Sequence, residues 1–193
     1  MMNESKENII KASLSLFMYN SYASVSMKDI LDKAGLSRGA FYHYFESKEA
    51  CFEECVKYYL TQVTHPETAD YAEMSLETFL KENIRRMSRL TDMVSFPDRL
   101  LFFNEAIRII PDFAAYMERR NEKELADWTK IIEGAVKKGE ITDHIPAGEI
   151  AALFIAQCDG ILMTRGMVLD KNTHKGYVEV EKQWNNLYSL IKK

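Results

Sequence analysis

A chain of 193 residues, 47% apolar and 28% charged, has the balance of a globular protein of one medium domain or a small domain joined to a larger one. That balance excludes disordered, collagen-like and low-complexity chains. The formal charge of −4 excludes a strongly basic binder that holds nucleic acid by bulk field alone.

The chain opens MMNESKENII, which lacks the basic-then-apolar order of a signal peptide, so a cytoplasmic location is expected. Ile9, Ile10, Leu14, Phe17 and Met18 recur at helical spacing and predict an amphipathic helix over 5–20. Ser26 with Asp29 reads as a capping box for a short helix ending at Ala34, and Gly35 suits the left-handed residue that closes it. Ser37 is a second N-cap, opening a helix over 38–44, and Ser47 a third, opening a long one to 65. Cys51 and Cys55 lie four apart on that long helix. They fit a local disulfide poorly and read as buried small hydrophobes rather than a thiol switch. With Cys158 the count is three, which closes no disulfide framework.

Further helices are predicted over 75–91, 98–110, 113–138, 147–169 and 174–192. Pro66, Pro97, Pro111 and Pro146 fall at their boundaries, and Gly139 follows Lys137 and Lys138 as a helix stop. No strand alternation appears. The expected fold is all-α, with about nine helices.

The segment from Met27 to Phe45, MKDILDKAGLSRGAFYHYF, carries the function. Ile30, Leu31 and Ala34 form one buried stripe, Leu36 fills the turn, and Ala40, Phe41 and Tyr44 form the next. Gly35 lets the chain reverse within a few residues. This is the geometry of a helix-turn-helix, whose second helix offers its first residues to the DNA major groove. Residues 1–50 hold six basic and six acidic side chains, so binding there must rest on placed donors.

Arg38 suits bidentate donation to guanine O6 and N7, against the bland reading of a solvated arginine. Gly39 in a first helical turn costs about 1 kcal/mol relative to alanine, which points to close approach by DNA or a neighbouring helix. Tyr42 and His43 are expected to face outward within reach of phosphate oxygens, or as plain solvated tips, while Phe41 and Phe45 are core. Ser26 and Ser37 cap helices whose N–H groups can also meet phosphates, with Lys28 beside the first cap. Lys48 sits at the unfavourable positive end of a helix dipole, which calls for an anion. His43 has no partner ligands at metal spacing, and no metal or cofactor is expected.

From Ala34 to Glu49 the chain reads AGLSRGAFYHYFESKE, which closely resembles the N-terminal signature of the tetracycline-repressor (TetR) family of bacterial transcription regulators. Ala12, Leu16, Phe17 and Ile30 also fit, so the resemblance covers roughly residues 5–60. Ser21 stands where the family usually has glycine, and Leu31 where alanine is common. The resemblance implies a DNA-binding domain over 1–47 and a helical effector-binding and dimerisation domain over 48–193. It also implies phosphate contacts from Tyr42, His43 and Lys48.

For the body, the resemblance implies an effector pocket, for which Phe102, Phe103, Asn104, Arg108, Trp128 and Gln157 are candidates. The 147–169 helix is apolar nearly all round and must be covered on two sides, yet Gln157, Asp159 and Arg165 make it a poor membrane span. With the last helix it looks like a family dimer interface, with Phe154, Ile161, Leu162, Trp184, Leu187 and Tyr188 as candidates. A two-fold dimer doubles every contact and reads a palindromic operator in double-stranded DNA.

The expected function is a homodimeric regulator, most simply a repressor released by a small apolar or amphipathic effector, with no membrane partner. The alternatives are a DNA-binding regulator without a small-molecule effector and a helical-bundle enzyme. For the enzyme the sequence offers no phosphate-cradling glycine loop, His-Glu-x-x-His run or nucleophile elbow.

Overall fold

The computed structural model describes residues 4–63, 74–91, 95–168 and 173–193. Among these residues nine helices follow one another: α1 (Glu4–Tyr19), α2 (Met27–Ala34), α3 (Arg38–Tyr42), α4 (Lys48–Val63), α5 (Leu76–Thr91), α6 (Phe96–Ile109), α7 (Phe113–Lys137), α8 (Ala147–Met167) and α9 (Thr173–Ile191). The described residues hold no strand, only an isolated antiparallel pairing of Ile141 with Lys192. The all-α expectation holds.

Two boundaries differ from the sequence pattern for physical reasons. α3 stops at Tyr42, because the Tyr44 N–H turns back to the Phe41 carbonyl at 2.9 Å. α6 begins at Phe96, so Pro97 lies inside its first turn, where a missing N–H has no helical partner to lose. The expected ends at 65 and 169, and Pro66, lie outside the described residues.

The chain divides into two compact units. The first comprises α1 to α4 together with residues 98–113. It therefore runs past the boundary expected after residue 47, because α4 shares its core with α1. Ile9, Ile10 and Phe17 of α1 and Cys51, Phe52, Cys55 and Val56 of α4 are all buried. Phe52 meets Phe17 edge-on at 4.9 Å and Phe102 at 5.4 Å. Burying each such ring contributes about 1.5–3 kcal/mol. Both thiols are enclosed: Cys51 Sγ lies 3.4 Å from Ser13 Oγ, and Cys55 Sγ 3.5 Å from the Ile10 carbonyl oxygen. Burial pushes the Cys55 thiol well up, which suits an inert packing residue.

The second unit comprises α5, α8, α9 and α7 from Ala114 onward. Its centre is aromatic: the Trp128 ring stands 5.0 Å from Phe79, 5.8 Å from Phe154 and 5.3 Å from Trp184. Trp184 Nε1 donates to the Phe154 carbonyl at 2.9 Å, so the buried indole is satisfied. Gly139, at φ +72°, ends α7 in the left-handed region and swings Glu140 across. The Glu140 carboxylate accepts from the Leu76 and Glu77 N–H groups at 2.9 and 3.1 Å, capping α5, and from the Tyr188 hydroxyl at 2.9 Å.

α8 is long and apolar enough to cross a membrane, as the core helix of a soluble protein can also be. Its inner side (Ile150, Ala151, Phe154 and Cys158) is nevertheless buried in the unit's core. That burial changes the dimer-interface candidates. Phe154, Trp184, Leu187 and Tyr188 point inward and are core residues, at most 9% exposed, because α5 and α7 claim that side of α8 and α9. Ile161 and Leu162 are half-buried. The outward stripe of α8 is instead Ala152, Leu153, Ala156, Gly160, Met163 and Met167, all exposed.

Candidate nucleic-acid interface

The helix-turn-helix is held by capping chemistry that is local in sequence. Ser26 Oγ accepts from the Asp29 N–H at 3.2 Å, and Asp29 Oδ2 accepts from the Ser26 N–H at 2.8 Å, which completes the capping box. The Ser26 hydroxyl also donates to Asp29 Oδ2 at 2.6 Å, and that bond is the largest influence holding the Asp29 carboxyl below its ordinary range. Gly35, at φ +66°, ends α2, and the Leu36 N–H returns to the Leu31 carbonyl at 3.0 Å. Ser37 Oγ then accepts from the Ala40 N–H at 3.3 Å and opens α3.

Burial decides which face of α3 is free. Phe41 is fully buried and its ring lies 5.3 Å from Phe45, so both are core as expected. Ser37, Arg38, Gly39, Tyr42 and His43 are exposed on the opposite side, as are Ser26 and Lys28. The Arg38 guanidinium stands 5.7 Å from the centre of the Tyr42 ring, a cation–π approach that gathers a cation and a hydroxyl on one patch. At Gly39 a Cβ would meet nothing within 4 Å. A neighbouring helix therefore does not explain this glycine.

Lys48 is different. It is half-buried, and Nζ donates to the Tyr22 and Val25 carbonyl oxygens, each at 2.9 Å. It also lies 4.0 Å from the centre of the Tyr22 ring. The internal carbonyls thus supply the negative partner that the dipole argument sought outside. Three donors minus two used leaves one N–H of the ammonium for another acceptor. Tyr22, absent from the sequence-level reading, is the residue that makes this clamp; the aromatic spacing Phe17, Tyr22 and Phe52 was its only sequence signal.

The effector candidates do not all gather at one place within either unit. In the first unit Phe102, Asn104 and Arg108 line a cleft of about 170 Å³ with Phe17, Asn20 and Asp98. The Phe103 ring lies tilted against Tyr59, with 5.8 Å between ring centres. In the second unit Trp128 is enclosed by aromatic rings, while Gln157 lines a groove with Gly160, Thr164 and Gln183. The Gln157 Oε1 atom is buried there with no hydrogen-bond partner. No group of three or more metal-binding side chains occurs among the described residues.

Residues 9–55 match the family model for bacterial regulatory proteins of the tetR family, and residues 75–176 match that for the tetracyclin repressor-like C-terminal domain. The chain belongs to the tetR family. YerO of Bacillus subtilis, an HTH-type transcriptional regulator, is 44% identical over 59 residues, 31% of this chain and 20% of that protein. The match thus spans about a fifth of YerO's length. The transcriptional repressor KstR2 of Mycolicibacterium smegmatis is 25% identical over 142 residues, 69% of this chain and 66% of that one. A tetR-family regulator structure from Mesorhizobium loti shares the fold over 100% of both chains, with a TM-score of 0.76 at 22% identity. This tetR-family chain is a DNA-binding transcriptional regulator with an N-terminal helix-turn-helix, and not an enzyme.

Proposed function

We propose that the chain acts in the cytoplasm as a homodimeric repressor, reading a palindromic operator through α3 and leaving it when a small apolar or amphipathic effector binds. The observation that carries the reading is the exposed patch of Arg38, Gly39 and Tyr42 over a fully buried Phe41. Arg38 reads a guanine, and open space at Gly39 admits the DNA backbone. Tyr42, His43, Lys28 and the remaining N–H of Lys48 hold phosphates, with backbone N–H groups capped by Ser26 and Ser37 beside them. Residues 1–47, with Lys48 at the start of α4, carry these contacts, and the rest of 48–193 carries the effector site and the dimer contact. KstR2, a transcriptional repressor, supports the sign of regulation.

The outward stripe of α8 supports the dimer. Leu153, Met163 and Met167 are 47%, 53% and 63% exposed, a row of large apolar side chains that a second copy would cover. Two-fold symmetry then doubles a modest set of DNA contacts. DNase footprinting of the DNA upstream of the protein's own gene tests the reading. Two protected half-sites centred a whole number of helical turns apart support it; no protection, with a monomer in sedimentation, overturns it.

A further inference from the structure

An exposed arginine samples many rotamers, and a base reader must settle into the one that meets the guanine edge. Arg38 is exposed, and α3 offers it no acidic residue in its first turn. Among the described residues no hydrogen bond or ion pair holds its guanidinium. The contact it does make is aromatic: the guanidinium carbon stands 5.7 Å from the centre of the Tyr42 ring. The two residues are four apart on one helix, so their side chains lie one above the other.

The Tyr42 ring is itself held from the core side. Phe41, fully buried, meets it edge-on with 5.5 Å between ring centres and 88° between planes. Phe41 in turn lies 5.3 Å from Phe45, which is also buried. A path of ring contacts thus leads from the interior of the first unit out to Arg38. Tyr42, at 44% exposure, is neither a core residue nor a solvated tip.

An aromatic partner differs from a carboxylate in what it leaves free. A carboxylate accepts from the guanidinium fork, the same fork that would meet guanine O6 and N7. A ring attracts the cation through its face, and the fork keeps its donors for another acceptor.

We propose that Tyr42 is a positioning residue for base recognition: its ring orients the Arg38 guanidinium and leaves the donor fork free for guanine. The proposal rests on the reading of Arg38 given above and deepens it. The two ends of Tyr42 then do different work, the hydroxyl on a phosphate and the ring on Arg38. Sequence preference comes to depend on a side chain that touches no base.

The test is fluorescence anisotropy of the full chain on the footprinted fragment and on a scrambled one, with preference taken as the ratio of the two affinities. The variants are Tyr42→Phe, Tyr42→Leu, Tyr42→Gln, Arg38→Ala and Arg38→Ala combined with Tyr42→Leu. Tyr42→Phe keeps the ring and loses the hydroxyl, so affinity should fall alike on both fragments and the preference should stay. Tyr42→Leu and Tyr42→Gln should each lower the preference about two- to fivefold per half-site, the size of an exposed cation–π contact. In the combined variant the preference should equal that of Arg38→Ala alone, because the ring has nothing left to orient. Melting curves check folding, and either Tyr42→Leu or Tyr42→Gln suffices.

A loss of preference in Tyr42→Phe as large as in Tyr42→Leu overturns the proposal, since the hydroxyl would then carry the effect. A further loss in the combined variant overturns it too, because Tyr42 would act apart from Arg38. If Arg38→Ala loses the preference while folded Tyr42→Leu and Tyr42→Gln keep it, base reading by Arg38 stands and the positioning role falls. If Arg38→Ala itself keeps the wild-type preference, both fall.

Discussion

The Lys48 ammonium stands 4.0 Å from the centre of the Tyr22 ring while donating to the Tyr22 carbonyl oxygen at 2.9 Å. One cation thereby fastens the start of α4 to the loop between α1 and α2. The clamp makes Lys48 structural before it is anything else. Lys48→Met should lower the unfolding free energy by about 1–3 kcal/mol, since it strands two carbonyls and removes a cation–π contact. Urea unfolding measures this. A variant as stable as wild type leaves phosphate binding as the main role of the residue.

Gly39 gives a prediction in which stability and function part. With no atom of the chain within 4 Å of a Cβ there, Gly39→Ala should leave stability unchanged or raise it by up to about 1 kcal/mol through helix propensity. Operator affinity should fall tenfold or more, because the added methyl meets DNA. Parallel melting and binding curves check it; unchanged affinity would show that DNA does not approach this backbone.

The Glu140–Tyr188 bond predicts a response to alkaline pH. Burial first, and the Glu140 hydrogen bond second, push the Tyr188 phenol up to about 12. The unfolded phenol titrates near 10, so between about pH 10 and 12 the folded state holds a proton that the unfolded state has lost. This contribution to stability is therefore complete below about pH 10 and disappears as pH rises toward 12. Unfolding curves across that range should fall less steeply for Tyr188→Phe than for wild type. Equal slopes would mean that Tyr188 titrates normally.

The exposed stripe on α8 predicts that Leu153→Glu with Met163→Glu dissociates the dimer and leaves the protomer folded, because both side chains already face solvent. Sedimentation velocity together with circular dichroism reads the two properties separately. A dimer that survives both charges has its interface elsewhere.

The parts of the fold that were legible in sequence are those fixed by neighbours along the chain. Ser26 with Asp29, Gly35 and Ser37 each act within a few residues, so the helix-turn-helix could be placed from its caps. What was illegible depends on which side of a helix its neighbours claim. α8 is apolar all round and carries no facing signal, so Phe154 looked available when Trp128 and Trp184 enclose it. Lys48 was read as lacking a partner because its carbonyls come from residues 22 and 25, distant in sequence.

The account stands on Arg38 as a reader of sequence. Fluorescence anisotropy, run across a salt series on the footprinted fragment and on a scrambled one, tests it with wild type and Arg38→Ala. Wild type should prefer the footprinted fragment. Arg38→Ala, exposed and free to fold, should lose about 1–3 kcal/mol per half-site of that preference while its affinity for scrambled DNA changes little. Equal weakening on both fragments, or none on either, would contradict the claim that α3 reads bases through Arg38.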